Sequence, residues 1–198
     1  MADARSPRSA GPAPDAAMLH DAALAYLARY AATEAGLRRV LERRVDRWKR
    51  LAQQNGLDAE AIAAQAAAAR HAVGEVVARL VAAGAVNDAA YAESRARMLV
   101  RAGRSRRAIS AYLAAKGVDP ETTATAMLSP EENELAAALV LARKRRIGPF
   151  RQGQTSDDAG RRRELGVLAR AGFSRSVAQQ ALAVDPDQAE ALVNELRR

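Results

Sequence analysis

Side chains suited to nucleophilic or metal chemistry are scarce in this chain, whose 198 residues include two histidines, His20 and His71, and no cysteine. Neither histidine sits in an HExxH helix or another ligand spacing, so a surface or core position explains each better than a metal does. Without cysteine, disulfides and cysteine-ligated zinc are excluded. A glycine-rich phosphate loop is also missing: Gly103-Arg-Ser and Gly148-Pro149 lack a preceding strand and a Walker lysine. The carboxylate pairs Glu131/Glu132 and Asp157/Asp158 are explained by a helix start and a loop. The chain is therefore expected to be a non-enzyme with no cofactor and no metal.

The arginines carry more information. With 31 Lys and Arg against 23 Asp and Glu, the chain has a net charge of +8, which favours anionic partners. Arg104, Arg106 and Arg107 surround Ser105 at a predicted helix start. Arg161, Arg162 and Arg163 crowd the start of another predicted helix, from about Gly160. Cations at a helix N-terminus oppose the macrodipole by roughly 0.3–1 kcal/mol each. Free N–H groups beside guanidinium groups form an anion site, and a carboxylate or phosphate from a partner relieves the conflict. A third cluster, Arg143, Lys144, Arg145 and Arg146, ends a predicted helix, where cations suit the dipole. It adjoins a loop holding Phe150, read either as a recognition anchor or as a residue that folds the loop down, and Arg151. The three clusters are the candidate partner-binding or anion-binding residues, with a solvated basic face as the competing explanation. Arg43, Arg44, Arg47, Lys49 and Arg50, partly countered by Glu42 and Asp46, fit a solvated helix face.

The elements that must position these side chains are helices. Aromatic residues make up 4% of the chain and no run of β-branched residues alternates, so a core of Ala, Leu and Val between close-packed helices is expected. Residues 1–14, rich in proline and small residues, read as a disordered tail. Helices follow over about 16–31, with Leu19, Ala23, Tyr26, Leu27 and Tyr30 on one face, and over 34–54 after a Thr33 cap. A long alanine-rich helix capped by Asp58 reaches about residue 82. Another, capped by Asn87-Asp88, runs over 89–101 and buries Tyr91, Ala92, Met98 and Leu99. Ser105 caps a short helix that Gly117 ends, and Asp119-Pro120 starts the next. Ser129-Pro130-Glu131-Glu132 is a capping box for a helix to about residue 146. Residues 147–159 form a loop, followed by helices over about 160–171 and 174–183 and a last one from Asp185-Pro186.

The stretch from Gly103 to Met127 recurs. Shifted forward by 55, Leu113, Gly117, Val118, Asp119, Ala126 and Met127 fall on Leu168, Gly172, Phe173, Ser174, Ala181 and Leu182. Shifted back by 72, Ser105, Ile109 and Leu113 fall on Thr33, Leu37 and Leu41. These offsets predict an all-α fold, an elongated array of three tandem three-helix repeats of helix-turn-helix-like modules: 15–82, 88–128 and 130–184, then a C-terminal helix over 185–198. No segment has the length of a membrane span and no signal peptide is evident, so a soluble cytoplasmic monomer is expected.

Residues Val76–Ala92, followed by Gly103-Arg-Ser-Arg-Arg-Ala-Ile and Leu113-Ala-Ala-Lys-Gly-Val, resemble the central region of the RecX regulatory proteins. Leu24-Ala-Tyr-Leu-Ala-Arg-Tyr and Leu165-Gly-Val-Leu-Ala-Arg-Ala-Gly-Phe are similar to that family's first and last modules. The resemblance spans about residues 18–183. It departs at Gly36, where the first repeat usually carries a carboxylate, and over 47–72, which is longer and richer in alanine. It implies a bacterial protein that binds the RecA recombinase filament along its groove and restrains strand exchange, ATP hydrolysis and co-protease activity. The family has no catalytic residues or cofactor of its own. The alternative is an independent nucleic-acid-binding protein that grips the DNA phosphate backbone.

Overall fold

The computed structural model describes residues 10–127, 131–153 and 157–196, together with the backbone but not the side chains of Glu131 and Glu132. Among the described residues every regular element is helical, and the chain divides into two compact units, one through Asp88 and one from Ala89.

The first unit is built on α1 (Ala16–Leu27), α2 (Glu34–Gln54) and α3 (Ala59–Ala82). Leu37, Leu41, Val45, Trp48 and Ala52 recur every three or four positions and form the buried stripe of α2. Ile62, Ala66, Ala69, Val73, Val76, Val77 and Leu80 do the same on α3. The small alanines of α3 let the two helices lie close and antiparallel, with Arg70 bridging to Asp46 at 2.8 Å on the outside. Each helix start is capped as its sequence predicts: Asp15 accepts from the Met18 N–H, Thr33 from Gly36 and Asp58 from Ala61, at 2.8–2.9 Å. Asp88, the last residue of this unit, adds a cap that no local pattern announces. Its carboxylate accepts from the Glu34 N–H at 2.8 Å and so satisfies a second free donor at the start of α2.

Two expectations need correction in this unit. The tail reading does not hold for residues 10–14: Trp48 Nε1 donates to the Gly11 carbonyl at 3.2 Å, Pro14 is buried, and Ala10 and Ala13 pack on the core. Residues 1–9 lie outside the described residues. Tyr30 is not a core residue but 57% exposed. Helix α1 ends at Leu27, one turn short of the expected residue 31, so Tyr30 leaves the buried stripe and packs its ring 5.1 Å from that of Tyr26.

The second unit contains α4 (Asp88–Arg101), α5 (Arg106–Lys116), α6 (Pro120–Ala126), α7 (Glu131–Arg145), a 3-10 turn (Gly148–Phe150), α8 (Asp158–Arg170), α9 (Arg175–Ala183) and α10 (Pro186–Glu195). Helix α7 is its axis. Five consecutive residues, Ala136 to Val140, are buried, so the helix is enclosed on more than one face, and α8, α9 and α10 all pack against it. Leu139, Leu168, Phe173, Ala178 and Val193 form its main core; Ile109, Leu113, Val118 and Met127 form a second with Tyr91. The last helix docks fully, with Ala189 and Val193 buried and Glu190 3.1 Å from Arg143. The capping-box residues Ser129 and Pro130 lie outside the described residues.

Met98, expected in the core, is 46% exposed. At about 100° per residue, Ala92, Ala96 and Leu99 centre the buried face of α4 and Met98 falls beyond its edge. The 147–159 segment is shorter as a loop than predicted, because the 3-10 turn interrupts it and α8 begins at Asp158. Phe150 folds the segment down onto the core instead of projecting as an anchor. Arg151 then makes a two-pronged ion pair with the buried carboxylate of Glu164.

The recurring stretches share their local geometry. Gly117 and Gly172 both take left-handed backbone, with φ of 88° and 93°. The N–H groups of the buried Val118 and Phe173 return to the Leu113 and Leu168 carbonyls, and Asp119 and Ser174 cap the helices that follow. The Asp119 carboxyl is held below its ordinary value of 3.8, first by the hydrogen bond from the Thr122 side chain and then by the Thr122 backbone N–H. Its contribution to stability is therefore present above pH 3.8 and is lost as the pH falls below that value. Asp119→Asn keeps a capping oxygen and removes the titration, so the acid limb of the thermal midpoint should flatten while the midpoint at pH 7 moves little.

Candidate anion-binding site

Only some of the predicted basic residues are brought together. Helix α4 ends in a left-handed glycine motif: Gly103, at φ 80°, donates to the Val100 carbonyl and Arg104 to that of Leu99. Gly103 sits directly on α7, where a Cβ would lie 3.1 Å from the Leu141 nitrogen and 3.2 Å from the Ala137 oxygen. That approach sets Arg104 beside the last turn of α7. Lys144 Nζ donates to the Ala102 carbonyl at 2.8 Å across the same junction.

Ser105 joins a second pair of elements. Fully buried, its hydroxyl accepts from the Ala108 N–H at 3.2 Å and donates to the Ala171 carbonyl at 2.7 Å, so the start of α5 meets the end of α8. Opposite ends of two helix dipoles face one another, which already offsets much of the electrostatic conflict expected at this helix start.

The ends of α4, α7 and α8 thus converge around an open cavity of about 720 Å³, rimmed by Arg104, Lys144, Arg145 and Arg170 and walled by Leu141 and Val167. Arg170 is not among the residues the sequence singles out; it is the last residue of α8, where a cation suits the dipole and so gives no signal of a site. Arg106 and Arg107 line a different groove of about 400 Å³, with Val118, Thr123 and Met127. Glu134 shares a small neighbouring pocket with Arg104 and Arg106.

The other predicted residues are placed elsewhere. Arg143 is turned toward Glu190 at 3.1 Å, an ion pair lying off the hydrogen-bond axis. Arg146 is exposed and takes left-handed backbone at φ 54°, the position glycine holds at the ends of α4, α5 and α8. Arg161, Arg162 and Arg163 are exposed but do not crowd a helix start. Helix α8 begins at Asp158, capped by Asp157 through the Gly160 N–H at 2.7 Å, so two carboxylates occupy the first turn and the arginines follow it. The dipole conflict expected of that cluster is absent.

Of the histidines, His20 is half-buried on α1 and His71 is exposed, 3.4 Å from Glu75. Among the described residues no group of three or more His, Asp or Glu could hold a metal ion, and no helix is long and apolar enough to cross a membrane. Tyr91 and Tyr112 meet through their hydroxyls at 3.4 Å, and burial, then the hydrogen bond to Tyr112, pushes the Tyr91 phenol up.

An all-helical chain of capped helices, with a cation-rimmed cavity where three helix ends meet, is the type of protein these features define. Residues 87–127 match the family described as "RecX, second three-helix domain". The regulatory protein RecX of Myxococcus xanthus is 43% identical over 170 residues, 85% of this chain and 86% of its own. That of Agrobacterium fabrum is 39% identical over 111 residues, 56% of this chain and 59% of its own. The crystal structure of RecX from Lactobacillus salivarius superposes with a TM-score of 0.60 at 18% identity, covering 89% of this chain and 97% of that one, a likeness of fold. The chain belongs to the RecX family of regulatory proteins.

Proposed function

We propose that the protein is a non-enzymatic, monomeric regulator that binds the RecA recombinase filament and restrains its recombinase, ATPase and co-protease activities in cytoplasmic DNA repair and the SOS response. The observation that carries this reading is the match over 85% of the chain to a regulatory protein of the family. In this reading the chain is three helical modules, 15–82, 88–128 and 130–184, followed by the C-terminal helix. The shared Gly117 and Gly172 geometry supports the last two as copies of one unit. Arg104, Lys144 and Arg145 at the cavity, Arg106 and Arg107 at the neighbouring groove, and the exposed Arg146, Arg161, Arg162 and Arg163 supply the partner-facing charge.

RecA's DNA-dependent ATP hydrolysis tests the reading. Far fewer copies of this protein than of RecA should suppress it, and the protein should sediment with RecA filaments; neither effect occurring would sink the proposal. Changing Arg104, Arg106 and Arg107 together to alanine should weaken inhibition by about tenfold or more, since one charge-assisted hydrogen bond exceeds 1.4 kcal/mol. The alternative, binding to nucleic acid on its own, predicts strongly salt-dependent affinity for naked DNA, with a slope that falls by about 0.9 for each phosphate contact removed. Loss of inhibition with an unchanged salt slope decides for RecA.

A further inference from the structure

We propose that the cavity at the meeting of α4, α7 and α8 docks an acidic protein segment that carries an apolar side chain. Arg104, Lys144, Arg145 and Arg170 rim it, and no carboxylate is among the described residues that line it. Part of this charge answers the helix ends themselves, each equivalent to roughly half a negative charge. Four cations against three such ends leave the cavity with a net charge of about +2.5. Lys144 directs one donor to the Ala102 carbonyl and keeps its charge for a partner.

The wall decides between anions. Leu141 and Val167 form an apolar side that a phosphodiester backbone has nothing to fill, and among the described residues no aromatic ring lines the cavity for an unpaired base to stack on. An aspartate or glutamate next to a leucine or valine uses both surfaces: the carboxylate forks onto a guanidinium and the alkyl group covers Leu141 and Val167. The volume of about 720 Å³ accommodates several side chains of such a segment. This inference rests on the reading of the protein as a filament regulator, which supplies the protein partner.

The test uses the full chain with RecA filaments on single-stranded DNA, comparing wild type, Arg104→Glu/Arg170→Glu, the milder Arg104→Gln/Arg145→Gln/Arg170→Gln, and, as a control, Arg43→Ala/Arg50→Ala, which are not among the cavity's lining residues. Co-sedimentation with filaments, affinity for the same DNA without RecA, and the thermal midpoint are measured for each. Both cavity variants should bind filaments about tenfold or more weakly, with naked-DNA affinity within about twofold of wild type and the midpoint retained. Filament binding that survives in both folded cavity variants overturns the inference alone. A parallel fall in naked-DNA affinity also overturns it, by assigning the cavity to phosphate. Wild type that fails to bind filaments overturns the regulator reading and the partner named with it.

Discussion

Replacing Gly103 with alanine is expected to lower the free energy of unfolding by about 2–5 kcal/mol, from left-handed backbone at roughly 1–2 kcal/mol and overpacking at roughly 1–3 kcal/mol. The overpacking arises because the new Cβ lies against helix backbone, the Leu141 nitrogen and the Ala137 oxygen, which cannot swing aside as a side-chain tip can. Gly84→Ala is the matched control. Gly84 has a similar φ of 72° with nothing within 4 Å of a Cβ, so its loss should stop at the backbone contribution. Urea unfolding of the two variants measures the difference, and equal losses would show that the contact with α7 is not tight. Against a total stability of about 5–15 kcal/mol, the larger loss threatens the fold, and it opens the cavity by moving Arg104 away from Lys144.

Ser105→Ala should cost about 2–4 kcal/mol, combining a lost N-cap of about 1 kcal/mol with buried groups left unpaired at about 1–3 kcal/mol. The two contributions separate with Ser105→Gly, because glycine is a tolerable N-cap but cannot donate to the Ala171 carbonyl. A Ser105→Gly loss close to that of Ser105→Ala assigns the energy to the bond with Ala171; a loss of only a few tenths of a kcal/mol assigns it to the cap. Gly172 tests the same junction from the other side. A Cβ there would lie 2.6 Å from Ser105 Oγ, so Gly172→Ala combined with Ser105→Ala should be less destabilising than the sum of the two. Strict additivity would refute the proposed contact.

Much of this architecture is written locally. Asp15, Thr33, Asp58, Ser105, Asp119 and Ser174 each cap the helix predicted for them, because an N-cap bond spans only three residues. Leu37, Leu41 and Trp48 on α2 and Ile109 and Leu113 on α5 are legible as helical periodicity, and the Gly-Val and Gly-Phe stops as conformations that glycine favours. Errors arose where a second element supplies the deciding contact. Asp157 is the exception, a local cap read as a loop residue: by accepting from the Gly160 N–H it starts α8 at Asp158, ahead of Arg161–Arg163. Residues 10–14 looked too polar and proline-rich to order themselves, and it is the Trp48 indole on α2 that holds them.

By itself the sequence determined most of the helices, most of their caps and glycine stops, and the family, because each is carried by neighbouring residues or by their order along the chain. Only the tertiary structure decided which cations share a site. Arg104, Lys144, Arg145 and Arg170 come from three helices, and they meet because Gly103 lies against α7 and Ser105 hydrogen-bonds to the end of α8. The cluster that looks continuous in sequence is divided because Arg104 belongs to the glycine turn that ends α4 whereas Arg106 and Arg107 open α5 beyond the Ser105 cap, so Arg104 rims the cavity and Arg106 and Arg107 line the groove.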